Sequence, residues 1–372
     1  MGSGLMMKFM GMRSETGREH ENEIQGDPMS KPSGQAVSPA GRAGLTAASG
    51  QGGQQAVRSF LKRYLVAILV PLLLILFSIL APSTFLTANN FQTILTTNAV
   101  LIILAVGETI VLVTGEFDFS FGGTLGISAA IVVMMITNMH GVNSAEAITV
   151  SFLAALFIGI LNAFFVIVLR VKSFIVTLGM GTLTTGIGLG ITGSQTVSNP
   201  SKFLTTVMTK HIFGVGLPFF YGLIMVIGLW VVFEFVKTGR NMYFVGEGRK
   251  AAFLAGIHVN RIRAGVLILS SVCAWLAGMV MLGQTTAVDA TYGGPYLLPV
   301  FAAVFLGFTT IRSGRFNALG TFVGVLVLAI GSTGLEVLSV PSWITQVFDG
   351  GVLVIAVALA NILGGERIDQ WA

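Results

Sequence analysis

The segment DFSFGG at residues 118–123 returns as DATYGG at residues 289–294, and the predicted architecture starts from this match. In both copies an Asp is followed two residues later by a hydroxyl side chain, and a Gly pair closes the motif. Further along, VLRVKSFI at 168–175 is matched by VLSVPSWI at 337–344, in the same order and at nearly equal separation. The chain is therefore predicted to contain an internal repeat.

The composition predicts the environment of that repeat. Apolar residues make up 53% of the chain and charged residues 10%, and the mean hydropathy is +0.85. A soluble domain carries about 25% charged residues. So few charges cannot solvate a globule of 372 residues, whereas lipid can cover an apolar surface. We predict an all-α polytopic membrane protein.

A helix needs about 20 apolar residues to cross the hydrocarbon core of a bilayer. Ten segments qualify as candidate spans, several of them short: 64–81, 98–114, 119–138, 147–169, 174–193, 215–236, 264–284, 297–310, 318–338 and 343–363. With the N-terminus inside, the outer loops hold only Lys202 and Lys210, and the other basic residues near the spans lie inside. This asymmetry predicts about ten transmembrane helices with both termini in the cytoplasm. Whether 297–310 crosses fully is left open.

The topology gives the repeat a direction. The first copy covers about 98–193 and the second about 264–363, and an odd number of spans separates their starts. The copies should therefore face opposite ways, as two inverted four-helix repeats. Inverted repeats are typical of transporters, in which the pathway lies at the repeat interface.

The start of the chain is different. Residues 1–57 are rich in Gly, Ser, Gln and mixed charge, and they have almost no apolar periodicity. Such a segment cannot bury enough surface to offset its ordering entropy, so we predict a disordered polar tail. The membrane domain is predicted to cover residues 58–366.

Polar side chains in or beside the spans are candidates for a translocation pathway, because they are costly in lipid. The candidates are Glu108, Asp118, Ser120, Asn162, Thr177, Asp289 and Thr291. Structural interpretations stay open beside this one. The two Asp residues can cap helices while the Gly pairs allow close packing, Glu108 can pair or snorkel, and the others can bond neighbouring helices.

The longest basic inner loop runs over 237–263, and EGRKAAFLAG at 247–256 within it predicts a short helix. Ala251, Leu254 and Ala255 share one face, and Gly256 ends the helix. A short helix of this kind suits docking into a groove on a soluble partner. An amphipathic helix resting on anionic lipid is the alternative.

Three motifs resemble one known family, the ribose/xylose/galactose-type (monosaccharide) permease subunits of bacterial ABC importers. They are GEFDFSFG at 115–122, SFIVTLG at 173–179, and the loop from Gly239 through Ala251 and Ala252 to Ile257. The resemblance extends over about residues 60–363. Glu116 stands where the family usually has Gly, and Ser173 where Pro is common, so the substrate is not transferred with the family.

The resemblance implies a fold, partners and a location. The fold would be like that of the vitamin B12-type ABC importer permeases. The partners would be a second permease copy in a homodimer, ABC ATPase subunits and an extracytoplasmic sugar-binding protein, in the bacterial inner membrane with lipid around it. The implied ATPase-coupling residues are Glu247, Arg249, Lys250, Ala251, Ala252, Leu254 and Gly256.

No phosphate loop of the form Gly-x4-Gly-Lys-Ser/Thr occurs in the sequence, and no metal-ligand cluster or nucleophile–base set stands out. We therefore expect no cofactor, no metal, no nucleic-acid partner and no enzymatic activity in the chain itself. Two functional alternatives remain. One is an ion-coupled secondary transporter that uses Glu108 and Asp118, and the other is the same ABC architecture for nucleosides or branched-chain amino acids.

Overall fold

The structure, a computed structural model, describes residues 66–285 and 287–364. The predicted tail at 1–57 lies outside these residues. The helices up to residue 235 are α1 (Val66–Leu80), α2 (Pro82–Phe85), α3 (Ala88–Thr97), α4 (Ala99–Leu112), α5 (Phe121–Asn138), α6 (Ser144–Ile167), α7 (Ser173–Thr192), α8 (Lys202–Met208) and α9 (Leu217–Phe235).

The remaining helices are α10 (Lys237–Glu247), α11 (Arg249–Leu254), α12 (Val259–Gln284), α13 (Leu297–Thr309), α14 (Ala318–Val337) and α15 (Ser342–Gly364). A 3₁₀ turn at Gly294–Tyr296 precedes α13. Two short antiparallel pairs join the loops: β1 (Val197–Ser198) with β4 (Ala287–Val288), and β2 (His211–Ile212) with β3 (Val215–Gly216).

Seven helices in the described part of the chain are long and apolar enough to cross a membrane. They are α5, α6, α7, α9, α12, α14 and α15. Helices α3 and α4 form one further candidate, bent by 42°. The predicted spans 64–81 and 297–310 are the shorter apolar helices α1 and α13. A multi-pass helical membrane protein is thus confirmed, whereas ten crossings stay a prediction.

Helices α4 and α12 form the centre of the packing. Every residue of α4 is buried, as expected of a helix that is apolar on all sides. The most apolar stretch of α12 is 67% buried, against 28% for α7 and 11% for α15. Helices α7 and α15 therefore leave broad apolar faces uncovered by this chain.

Side-chain caps fix where two of the long helices begin. Asn143 and Glu146 form a reciprocal capping box at α6, with bonds of 3.0 and 3.1 Å. At α14, the Asn317 side chain accepts from the amide of Gly320 at 2.7 Å and donates to the carbonyl of Gly307 at 3.0 Å. The second cap also ties the start of α14 to the end of α13.

The two copies of the repeated motif pack directly against each other. A Cβ placed on Gly293 would lie 2.0 Å from the carbonyl oxygen of Gly122, and one on Gly126 would lie 2.1 Å from that of Ala290. No side chain fits at these points because the obstacle is backbone. The prediction that the Gly pairs allow close packing is confirmed at Gly122 and Gly293.

Gly293→Ala should destabilise the protein, by about 1–3 kcal/mol or more, since the added methyl group meets a backbone carbonyl that cannot move aside. Thermal unfolding of the purified protein in detergent measures the effect. Gly294→Ala is the matched control, because a Cβ at that neighbouring position meets nothing within 4 Å. Equal melting temperatures for the two variants would contradict the packing described.

Candidate functional site

The site is built on a non-helical connection between α4 and α5, residues 116–120, called the extended segment because burial alternates along it; Ser120 at its end already has helical backbone angles. Gly115, at φ +72°, turns the chain out of the end of α4. Burial then alternates: Glu116, Asp118 and Ser120 are buried, while the aromatic residues between them are half-buried. Because successive side chains of an extended chain point to opposite sides, one side of the segment is polar and the other aromatic.

Helix α7 satisfies two backbone amides on the aromatic side of this segment. The amide of Phe117 donates to Ser173 Oγ at 3.1 Å, and that of Phe119 donates to Thr177 Oγ1 at 3.0 Å. Ser173 and Thr177 lie four residues apart, so their hydroxyl groups share one face of α7. Extended backbone inside a helix bundle has no neighbouring strand to accept hydrogen bonds from its amides. The hydroxyl groups of Ser173 and Thr177 accept them instead.

Carboxylates satisfy the amides on the polar side. The amide of Asp118 donates to Glu108 Oε1 at 3.3 Å, and that of Ser120 donates to Asp118 Oδ1 at 2.8 Å. The Ser120 hydroxyl also donates to Asp118 Oδ1, and it accepts from Asn162 Nδ2 at 2.8 Å. Glu108 Oε2, Asp118 Oδ2 and Asn162 Oδ1 have no partner among the described residues. This network holds four of the seven predicted pathway residues, and a fifth, Thr177, bonds the other side of the segment; all five are fully buried.

The aromatic side of the segment reaches the second half of the chain. The ring of Phe119 lies 4.7 Å from that of Phe301 in α13, centroid to centroid, and stacks on Phe117 at 6.2 Å. The segment therefore contacts α4, α6, α7 and α13 at once.

The second copy of the motif repeats the local geometry in a different environment. Asp289 Oδ1 accepts from the amide and the hydroxyl of Thr291, at 2.8 and 2.7 Å. These two bonds hold the pKa of Asp289 below its usual value. Asp289 is half-buried and Thr291 is exposed, and neither bonds a member of the buried network. The structure thus does not bring all seven pathway candidates together.

The capping interpretation of the repeated Asp needs a correction. In both copies the carboxylate accepts from the residue two positions on, forming a local turn. Ser120 is itself the N-cap residue of α5, so Asp118 bonds the cap and not the free amides inside the helix.

The predicted single helix over 247–256 is wrong. Glu247 ends α10, and Gly248, in an extended conformation, separates it from α11. Gly256, at φ +77°, does end α11 as predicted: its amide donates to Phe253 O and the amide of Ile257 to Ala252 O, each at 3.0 Å.

The surface of α11 also differs from the prediction. Ala252 is 1% exposed and packs with Val245 and Val259, so it cannot face a partner. Phe253 and Leu254 are 72% and 84% exposed. Phe253 was not among the predicted coupling residues, since the helical spacing of the apolar face pointed to Leu254 and the alanines.

Ion pairs connect α11 to the extended segment. Glu116 is buried, and its Oε1 pairs with Arg249 Nη2 at 2.6 Å and with Arg263 Nε. Burial lowers the pKa of Arg249, and Glu116 opposes that shift. A cavity of about 1190 Å³ opens beside these groups.

Three residues of the candidate site were absent from the predicted site. Glu116, Arg263 and Ser173 all bond the extended segment or lie within it. The departures from the family pattern at Glu116 and Ser173 were the available signal, since a buried carboxylate requires a partner. Nothing in the sequence identifies Arg263 as that partner.

Comparison with known proteins identifies the family of the chain. Residues 90–357 match the family described as branched-chain amino acid transport system / permease component. The chain belongs to this permease family. The ribose import permease of Escherichia coli (strain K12) is 30% identical over 307 residues, which are 81% of the permease described here and 93% of the relative.

Two further relatives are also import permeases. The ribose import permease of Bacillus subtilis (strain 168) is 33% identical over 77% of this permease and 89% of its own length. The autoinducer 2 import system permease of Photorhabdus laumondii is 29% identical over 72% and 82%. Membership in the monosaccharide importer permease family, expected from the three motifs, is confirmed.

Thr177→Val should destabilise the permease by about 1–3 kcal/mol, because the nearly isosteric change leaves the amide of Phe119 without an acceptor. Thr182→Val is the matched control on the same helix, since among the described residues its exposed hydroxyl bonds the carbonyl of Leu178 alone. Thermal unfolding in detergent compares the two. A control variant as unstable as Thr177→Val would show that the bond to the segment is not the cause.

Proposed function

We propose that the chain is the membrane-spanning permease subunit of an ATP-binding cassette importer. It translocates a monosaccharide that an extracytoplasmic solute-binding protein delivers, and a separate ATPase subunit supplies the energy. The permease lies in the bacterial inner membrane as ten crossings in two inverted halves, with both termini in the cytoplasm. The observation that carries the proposal is the exposed helix α11 on a permease of this family.

The geometry of α11 supports docking of an ATPase. Phe253 and Leu254 expose large apolar side chains next to the basic residues Arg249 and Lys250, on a helix that Ala252 fastens to α10 and α12. An apolar anchor with a charged rim suits a protein groove. Glu247, Ala251 and Gly256 lie at the ends or on the exposed side of this element and complete the proposed coupling surface.

Two copies of the permease are proposed to meet through the helices that one copy leaves uncovered. Helix α7 exposes Gly179, Gly186 and Gly190, and a Cβ at any of them would meet nothing within 4 Å. Small residues on a membrane helix allow a second helix to approach closely. The solute would pass along this interface, next to Thr177 and the buried network of Glu108, Asp118, Ser120 and Asn162, with Asp289 and Thr291 near the outer entrance.

The burial of the acidic residues weighs against the ion-coupled alternative. Glu108 and Asp118 are fully buried, and both belong to the network that holds the extended segment. A coupling acid must exchange its ion with water on each side in turn. The relatives' names support a sugar: two import ribose and a third, from Escherichia coli (strain K12), is a D-allose transport permease.

Replacing Phe253 and Leu254 together by Asp should abolish co-purification of the ATPase and uptake, because charge in an apolar groove is left without a partner. Pull-down from detergent extracts measures association. The control is Phe213→Asp, another exposed apolar residue, 95% exposed in the turn between β2 and β3. Full association of the double variant would contradict docking through α11.

Proteoliposomes that contain the permease and its ATPase, with the binding protein added, should accumulate labelled ribose or allose only when ATP is present. A proton or sodium uncoupler should leave the uptake unchanged. Uptake that ends with the uncoupler and needs no ATP would favour the ion-coupled transporter. Labelled nucleosides and branched-chain amino acids, tested in parallel with their own binding proteins, decide the substrate class.

A further inference from the structure

Glu116 joins two elements that are separate in sequence. Its side chain is 3% exposed, and one oxygen receives both Arg249 of α11 and Arg263 of α12. The Arg263 side chain is 14% exposed and that of Arg249 is 45% exposed, so one partner is internal and the other lies near the surface. A buried carboxylate with two guanidinium partners holds their relative position firmly.

Helices α10 and α11 also contact the residues that precede Glu116. Arg249 Nη2 donates to the carbonyl of Gly115 at 3.2 Å. A Cβ on Gly246 at the end of α10 would lie 2.0 Å from the carbonyl oxygen of Val113, so the two backbones touch there. Displacement of α10 and α11 must therefore move residues 113–116 with them.

Beyond Glu116 the chain leads directly to α7 and α13. The amides of Phe117 and Phe119 donate hydrogen bonds to the Ser173 and Thr177 hydroxyl groups of α7. The ring of Phe119 packs against that of Phe301 in α13. The amides of the segment are bonded to Ser173, Glu108 and Thr177, so a shift of Glu116 displaces these hydrogen-bond partners. The extended segment is thus a short mechanical connection from the exposed helix α11 to the helix proposed to line the pathway.

We propose that Glu116 is a positioning residue that transmits the displacement of α11 through the segment 116–120 to α7, so that ATP-driven motion of the partner opens the pathway. This inference rests on the proposed function as an ATPase-driven importer. The purely structural alternative is that Glu116 only neutralises the buried Arg263. Both roles predict a loss of stability on removal of the carboxylate, and only the first predicts a loss of coupling that persists when stability is regained.

The experiment compares Glu116→Gln with the double variant Glu116→Gln/Arg263→Gln. Glu116→Gln alone leaves the Arg263 charge buried without its carboxylate, so its melting temperature should fall. The double variant removes that charge as well, so its melting temperature should return toward the wild-type value. The readout is the number of solute molecules imported per ATP hydrolysed, in proteoliposomes with the ATPase and the binding protein. We expect this ratio to fall about fivefold or more in both variants, since Arg249 has lost its partner in each.

Glu234→Gln is the matched control. Glu234 forms a carboxylate–guanidinium pair with Arg312 at 2.5 Å, with no bond to the segment 116–120. Its ratio of import to hydrolysis should equal that of the wild type. A double variant that regains the wild-type ratio together with its stability would overturn the proposal and leave Glu116 a structural residue.

The wild-type protein separates failure of this inference from failure of the proposed function. If the wild-type complex imports solute only with ATP and both Glu116 variants import as much per ATP, only the transmission role is wrong. If the wild-type permease imports without any ATPase, the importer function fails and the transmission role fails with it.

Discussion

An extended stretch of backbone inside a helix bundle must have every amide hydrogen-bonded, and the permease is arranged around that requirement at residues 116–120. Four successive amides, from Phe117 to Ser120, find side-chain acceptors on α7, on α4 and in the segment itself. Each acceptor fixes a helix to the segment. The positions of α4 and α7 therefore depend on one short non-helical connection, and buried carboxyl groups are tolerated there because they serve as acceptors.

A second consequence of the extended segment is the close backbone contact between the two repeated motifs. The extended segment lets α5 begin inside the bundle, where Gly122 meets Gly293 without an intervening side chain. The two motifs share the Asp-to-hydroxyl turn, yet Asp118 and Ser120 are fully buried, whereas Asp289 is half-buried and Thr291 exposed. The same local turn thus lies inside the bundle in one half of the chain and in a more accessible loop in the other.

Charge is concentrated where α10, α11 and α12 meet this junction. Glu116 links α11 to α12, and Arg315 pairs with Glu247 at 2.8 Å at the end of α10. The exposed pair contributes little, because water screens it, whereas the buried one fixes geometry. An element that presents Phe253 and Leu254 outward is in this way attached rigidly to the segment that holds α7.

Composition and local motifs were enough to predict the helical membrane class, the family, the repeated motif and the close approach of its glycines, because composition, span length and residue size are local properties. It also placed Glu108, Asp118, Ser120, Asn162 and Thr177 among the functional candidates. The tertiary structure was needed to show that four of these five form one buried network beside Thr177, that Asp289 stays outside it, that Gly248 separates α10 from α11 and that Ala252 faces inward. Those facts depend on contacts between residues far apart in the chain, such as Glu116 with Arg263, and no local pattern encodes which distant charge a buried carboxylate will meet.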